Sequence, residues 1–149
     1  MKKALCGALA LVALLGVTGC EKVESYKEGT YEGSVVDSYN NEGNIATAKV
    51  VIDSDGKIKS VYLDTTYTVD GVETTKKTLG NDYNMQTYNP AASGEWFEQV
   101  EKLEKAIVEN QGVDFLNLDE EGYTDAVSGC TIIIDALVAA VEDALDQAK

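Results

Sequence analysis

The hydrophobic period of this chain changes once along its length, and that change restricts it to a sheet laid down first with helices packed on it afterwards. Over residues 30–68 the sequence is rich in Val, Ile, Thr and Tyr and is broken by Gly and Asn clusters, the composition of strands and their turns. Ala46, Ala48, Val50 and Ile52 recur at every second position, Asp53-Ser54-Asp55-Gly56 supplies a turn and residues 58–63 return. That pattern predicts an antiparallel hairpin, with residues 31–36 as a further strand beside it. Asp53, Asp55 and Asp64 fall near ligand positions of a helix-flanked calcium loop. The glycine comes too early, however, and the flanks read as strands, so the stretch is a hairpin turn and no metal is expected.

Beyond Ser93 the period becomes helical. Trp96, Val100, Leu103 and Ile107 form one stripe, predicting a helix over about residues 94–110 that Ser93 caps and Gly112 stops. Ile134, Leu137, Val138, Val141 and Leu145 form a second stripe, on a C-terminal helix with an acidic outer face. Residues 69–92 are polar, carry turn signals at Asp70-Gly71 and Gly80-Asn81-Asp82, and read as a long loop of the kind that carries function. Strands followed by helices predict an α+β fold, an antiparallel sheet covered by two helices.

The N-terminus bears on compartment. Lys2 and Lys3 precede an apolar run over residues 4–17, shorter than the roughly 20 residues of a comfortable membrane span. Val17-Thr18-Gly19-Cys20 closes the run and resembles the lipobox of bacterial lipoproteins. The resemblance implies a signal peptide over residues 1–19, cleavage before Cys20 and lipid on its thiol. The expected organisation is then a tether over residues 20–29 and one domain over residues 30–149, anchored to the cell membrane on its extracytoplasmic face.

Charge and side-chain inventory exclude several functions. The formal net charge is −14, the chain has no histidine, and every basic residue is lysine. Nucleic acid is not an expected partner, because phosphate contacts need a basic face. An anionic membrane would repel this surface, leaving the lipid as the anchor. Of the three cysteines, Cys6 falls in the signal segment and Cys20 carries lipid, so Cys130 stands alone and no internal disulfide is expected. Without histidine, Ser/His and Cys/His nucleophiles and the common zinc and copper sites are also disfavoured.

One motif carries chemistry. Asp125-Ala126-Val127-Ser128-Gly129-Cys130-Thr131 is a small-residue turn that delivers Ser128 and Thr131 to the start of the C-terminal helix. Free N–H groups and the helix dipole favour a phosphate there, and Gly129 permits close approach. Simple capping of the helix by Ser128 or Thr131 explains the spacing as well.

The stretch resembles the flavin-attachment sequence Asp-x-x-Ser-Gly-Ala-Thr of the FMN-binding domain family. That family occurs in subunits of ion-pumping NADH:quinone and ferredoxin-linked oxidoreductases and in extracellular electron-transfer lipoproteins. The likeness extends from the Tyr31 strand through Gly80-Asn81-Asp82-Tyr83-Asn84-Met85 and Gly94-Glu95-Trp96 to the last helix. It implies FMN joined to Thr131 by a phosphoester, donated from FAD by a flavin transferase that releases AMP, with Asp125, Ser128 and Gly129 as recognition positions. Tyr83, Met85 and Trp96 are expected ring neighbours, although helical spacing alone makes Trp96 a core residue.

The chain departs from the family at Cys130, where alanine is usual. Cysteine can fill alanine's place, or its thiol can be acidified near the helix start. The expected role is an electron carrier between a membrane quinol-linked donor and an external acceptor or extracellular reductase, with the surrounding acidic charge lowering the flavin potential. The alternative is a flavin-free surface lipoprotein that binds a ligand or protein through residues 69–92. The resemblance also allows residues 10–19 to be released as a signalling peptide.

Overall fold

The computed structural model describes residues 25–149. The expected signal peptide, Cys20 and the start of the tether lie outside the described residues. Among those described, no helix is long and apolar enough to cross a membrane.

Four strands, β1 (Gly29–Val36), β2 (Ile45–Ile52), β3 (Ile58–Val69) and β4 (Val72–Thr75), form one antiparallel sheet in that order. Val50 lies opposite Tyr31 and Val61, Ala48 opposite Gly33 and Leu63, and Ala46 opposite Val35 and Thr65. Directly opposed residues project to the same side of a sheet. The alternation on β2 therefore gathers Ala46, Ala48, Val50, Val61 and Leu63 on one buried face.

The helices are α1 (Lys76–Leu79), α2 (Met85–Tyr88), α3 (Trp96–Asn110) and α4 (Asp135–Gln147). The two long ones build the core, α3 over β3 and α4 over β1 and β2. The expected stripes are the buried ones: Trp96, Val100, Leu103 and Ile107 on α3, and Leu137, Val138, Val141 and Leu145 on α4. The α+β expectation holds.

β4 pairs only with residues 66–69 of β3, which leaves the earlier half of that strand without a strand neighbour on one side. Glu104 of α3 and Gln111, the residue that ends it, take the vacant places. Glu104 accepts from the Leu63 N–H at 2.5 Å. Gln111 accepts from the Ile58 N–H at 2.8 Å and donates to the Ile58 carbonyl at 3.0 Å. Each contact satisfies a backbone group that would otherwise be stranded on a sheet edge.

Three local expectations are corrected. Residues 69–92 are not one long loop. Asp70 and Gly71, at φ of 51° and 81°, make the two-residue turn into β4, and α1, a 3₁₀ turn (Gly80–Tyr83) and α2 follow. These elements are each four residues long, too short to impose a period on the sequence. Ser93 does not cap α3, because Glu95 does so through a reciprocal capping box with Glu98. Neither Ser128 nor Thr131 caps α4, which begins at Asp135 with Ile134 before it and no side-chain cap.

The end of the expected tether is docked on the domain. The Tyr26 N–H donates to the Gly56 carbonyl at 3.3 Å and the Lys27 N–H to the Ala148 carbonyl at 2.7 Å.

Candidate functional site

The segment before α4 presents Thr131 through alternating burial. Val127, Cys130, Ile132 and Ile134 are buried, whereas Ser128 and Thr131 are exposed. The Cys130 N–H closes a turn on the Val127 carbonyl at 3.1 Å, with Gly129 at φ 77°. A side chain rarely adopts that backbone angle, which is why glycine stands there. With Cys130 and Ile132 both anchored inward, Thr131 has to face out.

Gln99 holds Thr131 in place. The amide of this fully buried glutamine accepts from the Thr131 N–H at 2.7 Å and from its hydroxyl at 3.0 Å, both through Oε1. Its Nε2 donates to the Gly94 carbonyl at 2.8 Å, so only this orientation of the amide satisfies every partner. Ser93, displaced from its expected cap, donates its hydroxyl to the Gly129 carbonyl at 2.9 Å and its N–H to Thr131 Oγ1 at 3.3 Å. The hydroxyl therefore has a defined position at a surface.

It stands on the rim of a cleft whose walls include Tyr83, Met85, Trp96, Lys76 and Asp37, with Ile132, Ala136 and Leu137 from the start of α4. Tyr83 meets Tyr67 edge to face at 5.2 Å between ring centroids and Trp96 at 6.5 Å. Burial first, then the neighbouring Tyr67, Tyr39, Glu42 and Asp37, push the Tyr83 phenol up to about 12, so it stays protonated and neutral at physiological pH. Glu95 joins the walls together. Its carboxylate accepts from the Met85 N–H at 2.8 Å and the Gln86 N–H at 3.2 Å, which fastens α2 to the start of α3. Lys76 Nζ lies in the wall 5.3 Å from the Trp96 ring centroid, 5.6 Å from that of Tyr83 and 4.0 Å from Asp37 Oδ2.

Thr131, Tyr83, Met85 and Trp96, residues expected together, thus share one cleft. Asp125 and Ser128 do not line it. Both are exposed, Asp125 bordering a groove with Tyr123 and Thr124 and Ser128 a second one with Lys102 and Lys105. Cys130 does not line it either. Its thiol is buried in the core, and burial raises its pKa although the Ile132 backbone and Lys102 oppose the shift. Burial and a raised pKa both act against an acidified thiol, and the cysteine fills an alanine-sized place.

Lys76, Gln99, Ser93 and Glu95 were not expected in the site. Gln99 left a trace, a polar residue three positions after Trp96 on the buried stripe. Lys76 left none, being one of two adjacent lysines in a polar stretch.

Comparison with protein-family models matches residues 42–146 to the FMN-binding domain. The chain belongs to the FMN-binding domain family. It is a flavin-binding protein whose cofactor is FMN. Comparison with curated proteins and with solved structures gives no match. The matched range contains Thr131, Gln99, Lys76 and the aromatic wall.

The cleft of this FMN-binding domain fits the cofactor on its own chemistry. Trp96, Tyr83 and Met85 offer apolar and aromatic surface to a flat conjugated ring, a lysine offers a cation, and an exposed hydroxyl stands at the rim.

Proposed function

We propose that this chain carries FMN covalently on Thr131 and passes electrons outside the cytoplasm while anchored to the membrane by lipid on Cys20. The observation that carries the reading is the Thr131 hydroxyl. It is exposed, oriented by Gln99 and set on the rim of the aromatic cleft, inside a sequence that resembles the family's attachment motif.

Attachment requires a separate flavin transferase. The threonine oxygen attacks the FMN phosphorus of FAD, the pyrophosphate bond breaks, AMP leaves, and the hydroxyl proton passes to a base of the transferase. Asp125 and Ser128, exposed and outside the cleft, are open to such an enzyme, whereas the cleft is left for the ring. Gly129 supplies the positive φ that shapes the turn. Bound FMN supplies reversible acceptance of electrons, and this chain's residues position the ring and set its electrostatic surroundings. The partners are a membrane quinol-linked donor and an external acceptor or extracellular reductase. The phosphoester keeps the cofactor from diffusing away where no reserve exists.

The test is intact-mass spectrometry of the exported full chain co-expressed with a flavin transferase, beside Thr131→Ala. The expected result is a mass gain of one FMN that vanishes in the variant. No gain, with the transferase active on a control substrate, overturns covalent attachment and moves the reading to FMN held in the cleft without a bond to Thr131.

A further inference from the structure

We infer that Lys76 is the cation that meets the flavin ring in the cleft, and that it raises the cofactor's midpoint potential against the acidic field of the rest of the domain. The inference rests on the cleft being the flavin site.

The argument begins with burial. Lys76 opens a four-residue helix in a polar stretch, a place where a lysine ordinarily points to solvent, yet only 9% of its side chain is exposed. Its ammonium is turned into the same cleft that Thr131 rims and Trp96 and Tyr83 wall. Asp37 stands 4.0 Å away, longer than a hydrogen bond, so the pair keeps the charge nearby without neutralising it at contact. Of the described residues that line the cleft, Lys76 is the one with a positive charge, facing Asp37 and Asp135 on the same walls.

Burial lowers its pKa, and Asp37, Glu42 and Asp64 act in the opposite direction to hold the proton. Holding a charged group out of water is costly and calls for a compensating partner. The ring faces of Trp96 and Tyr83 supply part of that compensation, at distances within cation–π range.

A ring lying along this wall meets the ammonium at close range. Addition of two electrons and one proton to a neutral flavin leaves one net negative charge, which a fixed adjacent cation stabilises relative to the oxidised form. The net charge of −14 acts in the opposite sense. Most of those carboxylates are on the surface and are screened beyond about 10 Å at moderate salt, whereas a buried charge beside the ring is screened far less. Removing the one cation among the described residues that line the cleft therefore leaves the ring facing Asp37 and Asp135 unopposed, which disfavours the anionic reduced form.

The test uses the full chain loaded with FMN by a transferase, with dithionite as reductant and a reference dye as potential standard. Loading is read by intact mass and folding by circular dichroism. In Lys76→Met, the ratio of reduced to oxidised flavin at a fixed solution potential is expected to fall about ten-fold, about 30 mV for a two-electron couple. Asp37→Asn keeps the oxygen that accepts from the Tyr39 N–H and removes the charge, so its potential is expected to move the other way. Lys76→Arg keeps the charge and is expected to stay near the parent. Opposite shifts in the first two variants support the inference, and a mere packing role would not produce them.

A loaded Lys76→Met protein with unchanged or higher potential overturns it. Should that variant fail to fold or load, an Asp37→Asn potential at or below the parent's overturns it equally. A parent chain that acquires no FMN at all overturns the reading of the cleft instead, and is distinguished by the mass measurement alone.

Discussion

At the scale of single residues, the site is organised around one buried amide. Gln99 carries both the N–H and the hydroxyl of Thr131 on one oxygen and the Gly94 carbonyl on its nitrogen. Gln99→Leu preserves volume and helix propensity but strips all three bonds. Leaving buried polar groups unpaired costs about 1–3 kcal/mol, to be seen as a lower urea midpoint. Loss of the hydroxyl's orientation is expected to slow flavin loading about ten-fold, the equivalent of about 1.4 kcal/mol in the transition state. A time course of FMN mass gain on folded protein measures this, and loading at the parental rate would show that Gln99 serves stability alone. The attachment motif was legible because its residue types are tied to a covalent chemistry. Gln99 and Lys76 were not, because their roles come from residues brought together across 32 and 55 positions of chain, to Thr131 in each case, and no local pattern records such a meeting.

Among elements, the contact between β1 and α4 is set by missing side chains. Gly33 faces the helix, and a Cβ built there would lie 2.0 Å from the Ala140 carbonyl oxygen and 2.6 Å from the Ala144 nitrogen. Both are backbone atoms, so the helix itself would have to move. Ala140 and Ala144 answer from the other side with small side chains that are fully buried. Gly33→Ala is expected to destabilise the domain by about 2 kcal/mol or more, as overpacking does. Gly112→Ala is the control, since a Cβ there meets nothing within 4 Å and its φ is not left-handed, and it is expected to be neutral or slightly stabilising. Urea denaturation of the pair decides the point, and equal midpoints would mean that α4 shifts at no cost. The long elements could be read in advance because α3 and α4 run 15 and 13 residues, enough turns for a buried stripe to repeat. The four-residue helices α1 and α2 are held by Thr75, which accepts from the Thr78 N–H, and by Glu95 respectively, contacts rather than periodicity.

Across the whole molecule, stability depends on pH through groups that folding has moved in opposite directions. Lys76 is lowered below its ordinary 10.5, so the unfolded chain binds that proton more tightly, and stability rises with pH until the unfolded lysine has also titrated. Tyr83 behaves in reverse. Its phenol is raised from 10.0 to about 12, so the unfolded chain surrenders a proton that the folded chain still holds. Its contribution is complete below pH 10 and is lost as pH climbs from there toward 12. Tyr62, raised by burial and then by Asp64, adds a loss of the same sign. The domain is therefore expected to reach its alkaline optimum near pH 10 and to weaken steeply above it. Urea midpoints at pH 8, 10 and 11.5 measure the curve, and Tyr83→Phe assigns it. The variant keeps the ring between Tyr67 and Trp96 but has no proton to lose, so its decline above pH 10 should be shallower than the parent's. A decline of equal steepness would place the alkaline loss in the repulsion among carboxylates that gives the chain its charge of −14, and added salt, which screens that repulsion but does little for a buried phenol, would then restore the lost stability.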